Sequence, residues 1–236
     1  MKIESSLLAS VLSTESSTLF FALRLSLWVA LISTVFVAIA GGLLGYLLAR
    51  YRFPGRNWVD AIVTLPLILP PTVVGFYLLI LFGRQGLIGR PLYEATGWTP
   101  IFTWQGAVLA ASIMALPLMV KTTKAALESV DPVYLQAAAT LGQSNGQILW
   151  RVWLPLAWKG ILAGIVLSFA RALGEFGATL MIAGNIPGVT QTMPMAIYEA
   201  VQSGRDNIAL ILVVILSSLS LFILFLTNFL ERGGFR

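Results

Sequence analysis

Five long stretches of the chain carry almost no charge, and each is bounded by charged residues. Residues 25–49 lie between Arg24 and Arg50, and residues 61–83 between Asp60 and Arg84. Residues 105–120 are uncharged, with the clean run reaching back to Ala95. Residues 160–182 are apolar apart from Arg171 and Glu175, and residues 207–230 lie between Asp206 and Glu231. A helix crosses the roughly 30 Å hydrocarbon core of a bilayer in about 20 residues. Only helices or closed barrels satisfy the backbone in lipid, and barrel strands alternate over about 10 residues. These runs are continuous, so the pattern predicts an all-α integral membrane protein with about five transmembrane helices.

Composition agrees: 58% of the residues are hydrophobic and 11% charged, against about 25% charged in an ordinary soluble domain. The net charge of +5 is not gathered into a nucleic-acid patch. If the helices alternate, Arg50, Arg52, Arg56, Lys121, Lys124, Arg151, Lys159, Arg232 and Arg236 share one side. Lys2, Arg24, Arg84, Arg90 and Arg205 share the other. The positive-inside bias predicts an external N-terminus, a cytoplasmic C-terminus and a cytoplasmic segment at 128–155. With no cysteine and no histidine, disulfides, thiol catalysis and imidazole metal sites are excluded. The start lacks a cleavable signal pattern. Residues 1–19 read as an extracytoplasmic segment, either an amphipathic surface helix carrying Leu7, Leu8, Val11 and Leu12 or a disordered tail. Residues 231–236 read as a cytoplasmic tail.

Punctuation refines the spans. Pro54-Gly55 turns the first loop. Pro66, Pro70 and Pro71 kink or break the second span, which predicts that it faces a bundle interior. Gly41 and Gly45 have helix-packing spacing. Trp58, Trp98, Trp104, Trp150, Trp153 and Trp158 lie near span ends, as interfacial anchors do. The loops at 83–103 and 183–206 form an outer docking surface, the second with a short helix from Pro194 to Gln202.

The polar stretch at 128–155 is the most informative. Asp131-Pro132 starts a helix, and Ala137, Ala138 and Ala139 continue it. Gly142 fits a left-handed C-cap. Ser144 and Gln147 have capping-box spacing and start a second helix, which Leu154-Pro155 ends or kinks. Two capped helices joined by a glycine suit a groove on a soluble partner.

This loop resembles the signature of ABC importer permeases: E-A-A, three residues, G, nine residues, I-x-L-P. Here Gln136-Ala137-Ala138, Gly142, Val152 and Leu154-Pro155 fit the spacing, with Gln136 for the acid and Val152 for isoleucine. The stretch from Ser168 to Thr179, the run LPLILPPTVVG at 65–75, and residues 183–188 with Met193-Pro194 resemble molybdate-type permeases. Sulfate permeases carry similar signatures, and tungstate is a second alternative cargo. The resemblance runs from about Phe20 to Leu230 and implies a type 1 transmembrane domain over 20–230. It implies a homodimer in the bacterial inner membrane, two cytoplasmic ATPase subunits and an extracytoplasmic oxyanion-binding protein. The chain has no G-x-x-x-x-G-K-[ST] phosphate loop. The reading is therefore of a non-enzymatic subunit that binds no cofactor, with ATP and Mg on the partner. Gln136, Ala137, Ala138, Thr140, Leu141, Gly142, Gln143, Ser144, Leu154 and Pro155 are the candidate ATPase contacts.

Arg171 and Glu175 are one helical turn apart. Intramembrane charges are rare and usually face an interior or a water path. Together with Pro70 and Pro71 they are candidates for the pathway or its gate; the alternative is an ion pair that locks packing. The absence of a convincing internal repeat and the presence of the 136–155 loop speak against an ATP-independent secondary transporter or channel, and a membrane scaffold that only recruits an enzyme is a further alternative.

Overall fold

The computed structural model describes the backbone of residues 2–232 and the side chains of residues 18–225. The surface-helix expectation for 1–17 and the tail at 231–236 lie outside the described side chains. All regular structure among the described residues is helical: α1 (Lys2–Arg50), α2 (Arg56–Ile68), α3 (Pro71–Phe82), α4 (Gly89–Thr96), α5 (Trp104–Glu128), α6 (Pro132–Thr140), α7 (Asn145–Ile148), a π-helical turn (Leu149–Trp153), α8 (Leu154–Leu173), α9 (Gly177–Ala183), α10 (Met193–Gln202) and α11 (Asp206–Arg232). Four of these stretches are long and apolar enough to span a membrane, and the bent pair α2–α3 makes a fifth.

Helix α5 is the post of the bundle. Thr103 caps it by accepting from the Gly106 amide, and one flank is small: Ala107, Ala110, Ala111 and Ala115 are fully buried. Helix α1 lies against it through the predicted glycine pair. A Cβ on Gly41 would stand 2.9 Å from the Met119 Cβ, and one on Gly45 would stand 2.8 Å from the Thr123 Cβ. Ser33 Oγ donates to the Val108 carbonyl at 3.0 Å, a polar tie between helices that lipid cannot replace. Helix α8 packs on the same post through Gly160, where a Cβ would stand 2.5 Å from the Ala126 Cβ.

The spans follow the sequence reading with differences of extent and continuity: the first, expected at 25–49, runs from Thr18 to Arg50. The third, expected at 105–120, continues to Glu128 because its last turns meet α2: Asp60 receives Lys121 at 2.7 Å and Lys124 at 3.4 Å, and Arg56 pairs with Glu128 at 3.0 Å. The second, expected at 61–83 with a kink or break at its prolines, is broken into two helices bent by 115°. Pro70 and Pro71 have no N–H for the ladder, so α2 ends at Ile68 and α3 starts anew. The fourth, expected unbroken at 160–182, stops at Leu173 and restarts as α9 at Gly177. The short helix expected from Pro194 to Gln202 is present as α10.

The loop before α10 is more buried than an outer docking surface should be. Thr190, Gln191, Thr192 and Met193 are at most 4% exposed. Thr190 Oγ1 donates to the Gly184 carbonyl and accepts from the Ile186 amide, both at 3.0 Å. Glu199 accepts from Asn185 and Gln191 and pairs with Arg205. Ser26 of α1 accepts from the Met193 amide at 2.7 Å. Only the tip, with Ile186 and Val189, stands out.

Helices α3 and α9 cross where Gly75 lets them: a Cβ there would stand 2.8 Å from the Ala178 Cα. Overpacking of a tight contact costs about 1–3 kcal/mol. Gly75→Ala should therefore lower the thermal unfolding temperature of the purified chain in detergent. Gly42→Ala, whose methyl comes no nearer than 3.8 Å to Met119 Cε, should leave it unchanged.

Candidate functional site

Two groups of candidate residues lie at opposite ends of α8. At its start is the capped loop. Asp131 accepts from the Val133 amide at 2.9 Å and opens α6. At the other end of α6 the Gly142 amide donates to Ala139 O at 3.0 Å and the Gln143 amide to Ala138 O at 3.2 Å. This pair of bonds is a Schellman closure and needs a left-handed residue at Gly142, whose φ is +78° with open space around it. Thr140 Oγ1 donates to Ala137 O at 2.8 Å. Ser144 and Gln147 form the predicted capping box, the Ser144 amide donating to Gln147 Oε1 at 2.9 Å. All the local signals read from sequence at 131–147 are present.

Beyond Ile148 the structure differs in one respect. Leu154-Pro155 does not end the helix; the chain runs through a π-helical turn into α8. The Leu154 amide bonds back to Leu149 O, five residues earlier. Widening the turn removes the clash between the Pro155 ring and the carbonyl four residues before it. The second loop helix is thus the start of the fourth span.

The loop is tied to the bundle by contacts with no local signature. Trp153, expected as an interfacial anchor, is 7% exposed, and its indole N–H donates to Leu127 O at 2.8 Å at the end of α5. Tyr46 meets it edge-on at 5.8 Å, and the Arg50 guanidinium lies 5.8 Å over its ring. Arg50 also donates to Asn145 Oδ1 at 2.8 Å. Ala138 and Ile148 are buried where the two loop helices meet. Gln136, Ala137, Thr140 and Ser144 are exposed, as are the apolar Val133, Tyr134, Leu141 and Trp150. A capped, anchored helix pair with an apolar outer face has the shape of a docking element.

At the far end of α8, about 24 Å of helix beyond Pro155, the two span breaks meet. Glu175 is 3% exposed. Its Oε2 takes the Arg171 guanidinium at 2.7 Å, and its Oε1 accepts from the Ala178 amide at 2.8 Å. One carboxylate therefore neutralises the intramembrane arginine and satisfies a first-turn amide of α9, both of which would be costly unpaired in lipid. The Arg171 side chain remains 26% exposed. Gly177 brings α9 against α3: a Cβ on it would stand 2.9 Å from the Pro71 Cβ. Pro71, Arg171 and Glu175 are thus neighbours at one joint, with Pro70 as the cap residue of α3. The sequence reading found all four and expected the second span to kink or break at its prolines; it did not find the break in the fourth.

A family model described as the binding-protein-dependent transport system inner membrane component matches residues 41–234. The chain belongs to this family. It is 44% identical over 212 residues to the molybdenum transport system permease protein ModB of Escherichia coli (strain K12), covering 89% of this chain and 93% of that protein. It is 35% identical over 210 residues to the sulfate transport system permease protein CysW of Synechococcus elongatus, covering 89% of this chain and 73% of that one. Among solved structures it is similar in fold to the MetNI methionine ABC transporter in inward-facing form, with a TM-score of 0.74 at 20% identity, over 94% of this chain and 98% of that one. The chain is a membrane transport permease with the type I ABC importer fold.

Trp153→Phe removes the indole donor; Leu127 O keeps the Val130 amide at 3.3 Å, so the net cost is that of one hydrogen bond, about 0.5–1.5 kcal/mol. Amide exchange across 131–153 should speed up by about two- to tenfold. Trp150→Phe, at a residue 72% exposed, should not change it.

Proposed function

We propose that the chain is the membrane-spanning subunit of an ATP-driven importer that moves an oxyanion, molybdate first among them, across the bacterial inner membrane by alternating access. The observation that carries this is the 44% identity to a molybdenum transport permease along nearly the full length of both chains. Sulfate is the second reading, favoured by the 35% identity to a sulfate permease; tungstate shares the chemistry of molybdate.

The partners in this reading are a second copy of the chain, two cytoplasmic ATPase subunits and an extracytoplasmic oxyanion-binding protein. The chain itself binds no cofactor; ATP and Mg belong to the ATPase, which performs the hydrolysis. The orientation puts the capped loop in the cytoplasm. It is supported by the gathering of Arg50, Arg56, Lys121 and Lys124 around that loop and the adjoining end of α5, following the positive-inside bias.

A nucleotide can shift a two-state equilibrium only through contacts that differ between the states. Here those contacts are Gln136, Ala137, Thr140, Leu141, Gly142, Gln143 and Ser144 in an ATPase groove. Helix α8 is continuous with the loop from Asn145 to Leu173, so movement of the loop reaches the joint at Arg171, Glu175, Pro70 and Pro71. At that joint Arg171 attracts the anion, and Glu175 keeps it from becoming a tight trap.

Uptake of labelled molybdate by a strain lacking this chain should return with the wild-type sequence; return of sulfate uptake alone would decide for the second reading. Gly142→Val puts a branched residue at a left-handed φ, costing about 1–2 kcal/mol locally. It should abolish transport-coupled ATP hydrolysis while the spans stay folded. Glu175→Gln keeps an acceptor for the Ala178 amide but removes the counter-charge of Arg171. It should slow uptake at least tenfold in a folded protein; unchanged uptake would leave the pair with a packing role only.

A further inference from the structure

At the end of the bundle opposite the capped loop, an open groove of about 500 Å³ runs between α1, the end of α3, α4 and α5. Its walls are almost wholly apolar, formed by Ile32 and Phe36 on one side and Val108 and Leu109 on the other, and Trp98 and Trp104 stand at its mouth. Its depth can be measured along the helices. Ser112, the deepest lining residue on α5, lies eight residues beyond Trp104, or about 12 Å at 1.5 Å per residue. On α1 the lining residues Ile32 and Phe36 are one turn apart. Half of a roughly 30 Å hydrocarbon core is about 15 Å. Along α5 the groove therefore has a depth of about one leaflet.

The charges at the mouth are unequal. Arg90 is satisfied by Glu94 at 2.8 Å. Arg84 follows Phe82 of the groove wall by two residues, is exposed, and makes no ion pair among the described residues. Its guanidinium is held 5.0 Å over the ring of Tyr93, the neighbour of the lining residue Leu92. A cation held on an aromatic face of α4, the helix that contributes Leu92 to an apolar slot about one leaflet deep, matches one kind of occupant, an acyl chain with a phosphate above it.

We propose that this groove is a binding site for an anionic phospholipid, with one acyl chain between α1 and α5 and the phosphate on Arg84. The leaflet is the outer one, which rests on the orientation proposed above; the site itself does not depend on it. Bound lipid fills the space between α4 and the spans, so α4 is held to the bundle partly by lipid.

The test uses the full-length chain purified from membranes, with phosphatidylglycerol and phosphatidylcholine as probes and native mass spectrometry of retained lipid as the readout. Wild type should retain phosphatidylglycerol in preference to phosphatidylcholine. Arg84→Gln, at an exposed residue, should weaken that preference about fivefold, the factor expected for one basic residue at a lipid surface. Arg90→Gln should change it little. A photoreactive side chain in place of Leu92 should give a lipid adduct. Equal retention of the two lipids by wild type, an unchanged preference in Arg84→Gln, or an adduct to a second copy of the chain would each overturn the proposal. Because the readout is lipid and not uptake, its failure leaves the importer reading untouched, and failure of uptake leaves the lipid site untouched.

Discussion

Helices in lipid gain nothing from hiding apolar surface from one another, so close packing has to hold them together. In this chain that requirement falls on α5. Its alanine flank and the glycines of α1 and α8 let three helices approach at backbone distance, and Ser33 adds a hydrogen bond across the first of these contacts. Everything else hangs from that post. The capped loop is secured to its C-terminal end through Leu127, α2 through Lys121, Lys124 and Glu128, and α9 packs near its N-terminal half. A side chain at Gly45 or Gly160 would push away an entire span.

What could be read beforehand follows the range of the interaction that encodes it. Asp131, Gly142, Ser144 and Gln147 act within five residues of themselves, so the chain spells out their bonds, and α6, its glycine closure and the capping box were all legible. Span number was legible from hydropathy, and the glycine pair of α1 from its spacing. The break of the second span was announced by its prolines, but the break of the fourth was not legible. Hydropathy cannot separate an unbroken helix from two half-helices whose amides are satisfied by a distant or buried group, as Ala178 is by Glu175. Trp153 failed for a related reason. A tryptophan near a span end is consistent with both lipid headgroups and a buried partner, and only the Leu127 carbonyl, twenty-six residues away, decides between them.

The candidate site shows the same division. Arg171 and Glu175 were visible as charges in an apolar run, and Pro70 and Pro71 as missing donors. Their convergence required Gly177, which looks in sequence like any other membrane glycine. In the structure it is the contact that sets the start of α9 against the start of α3. The intramembrane ion pair thus lies where two spans lose regular structure, and one carboxylate serves both needs.

The π-helical turn at 149–153 has a geometric consequence. An α-helix advances about 100° per residue, and a π turn takes in one residue more than an α turn. The turn therefore offsets the angular phase of α7 from that of α8 by about 100° relative to an uninterrupted helix. Asn145 meets Arg50 across that offset. The two ends of one continuous helix therefore present faces that an uninterrupted α-helix would not align.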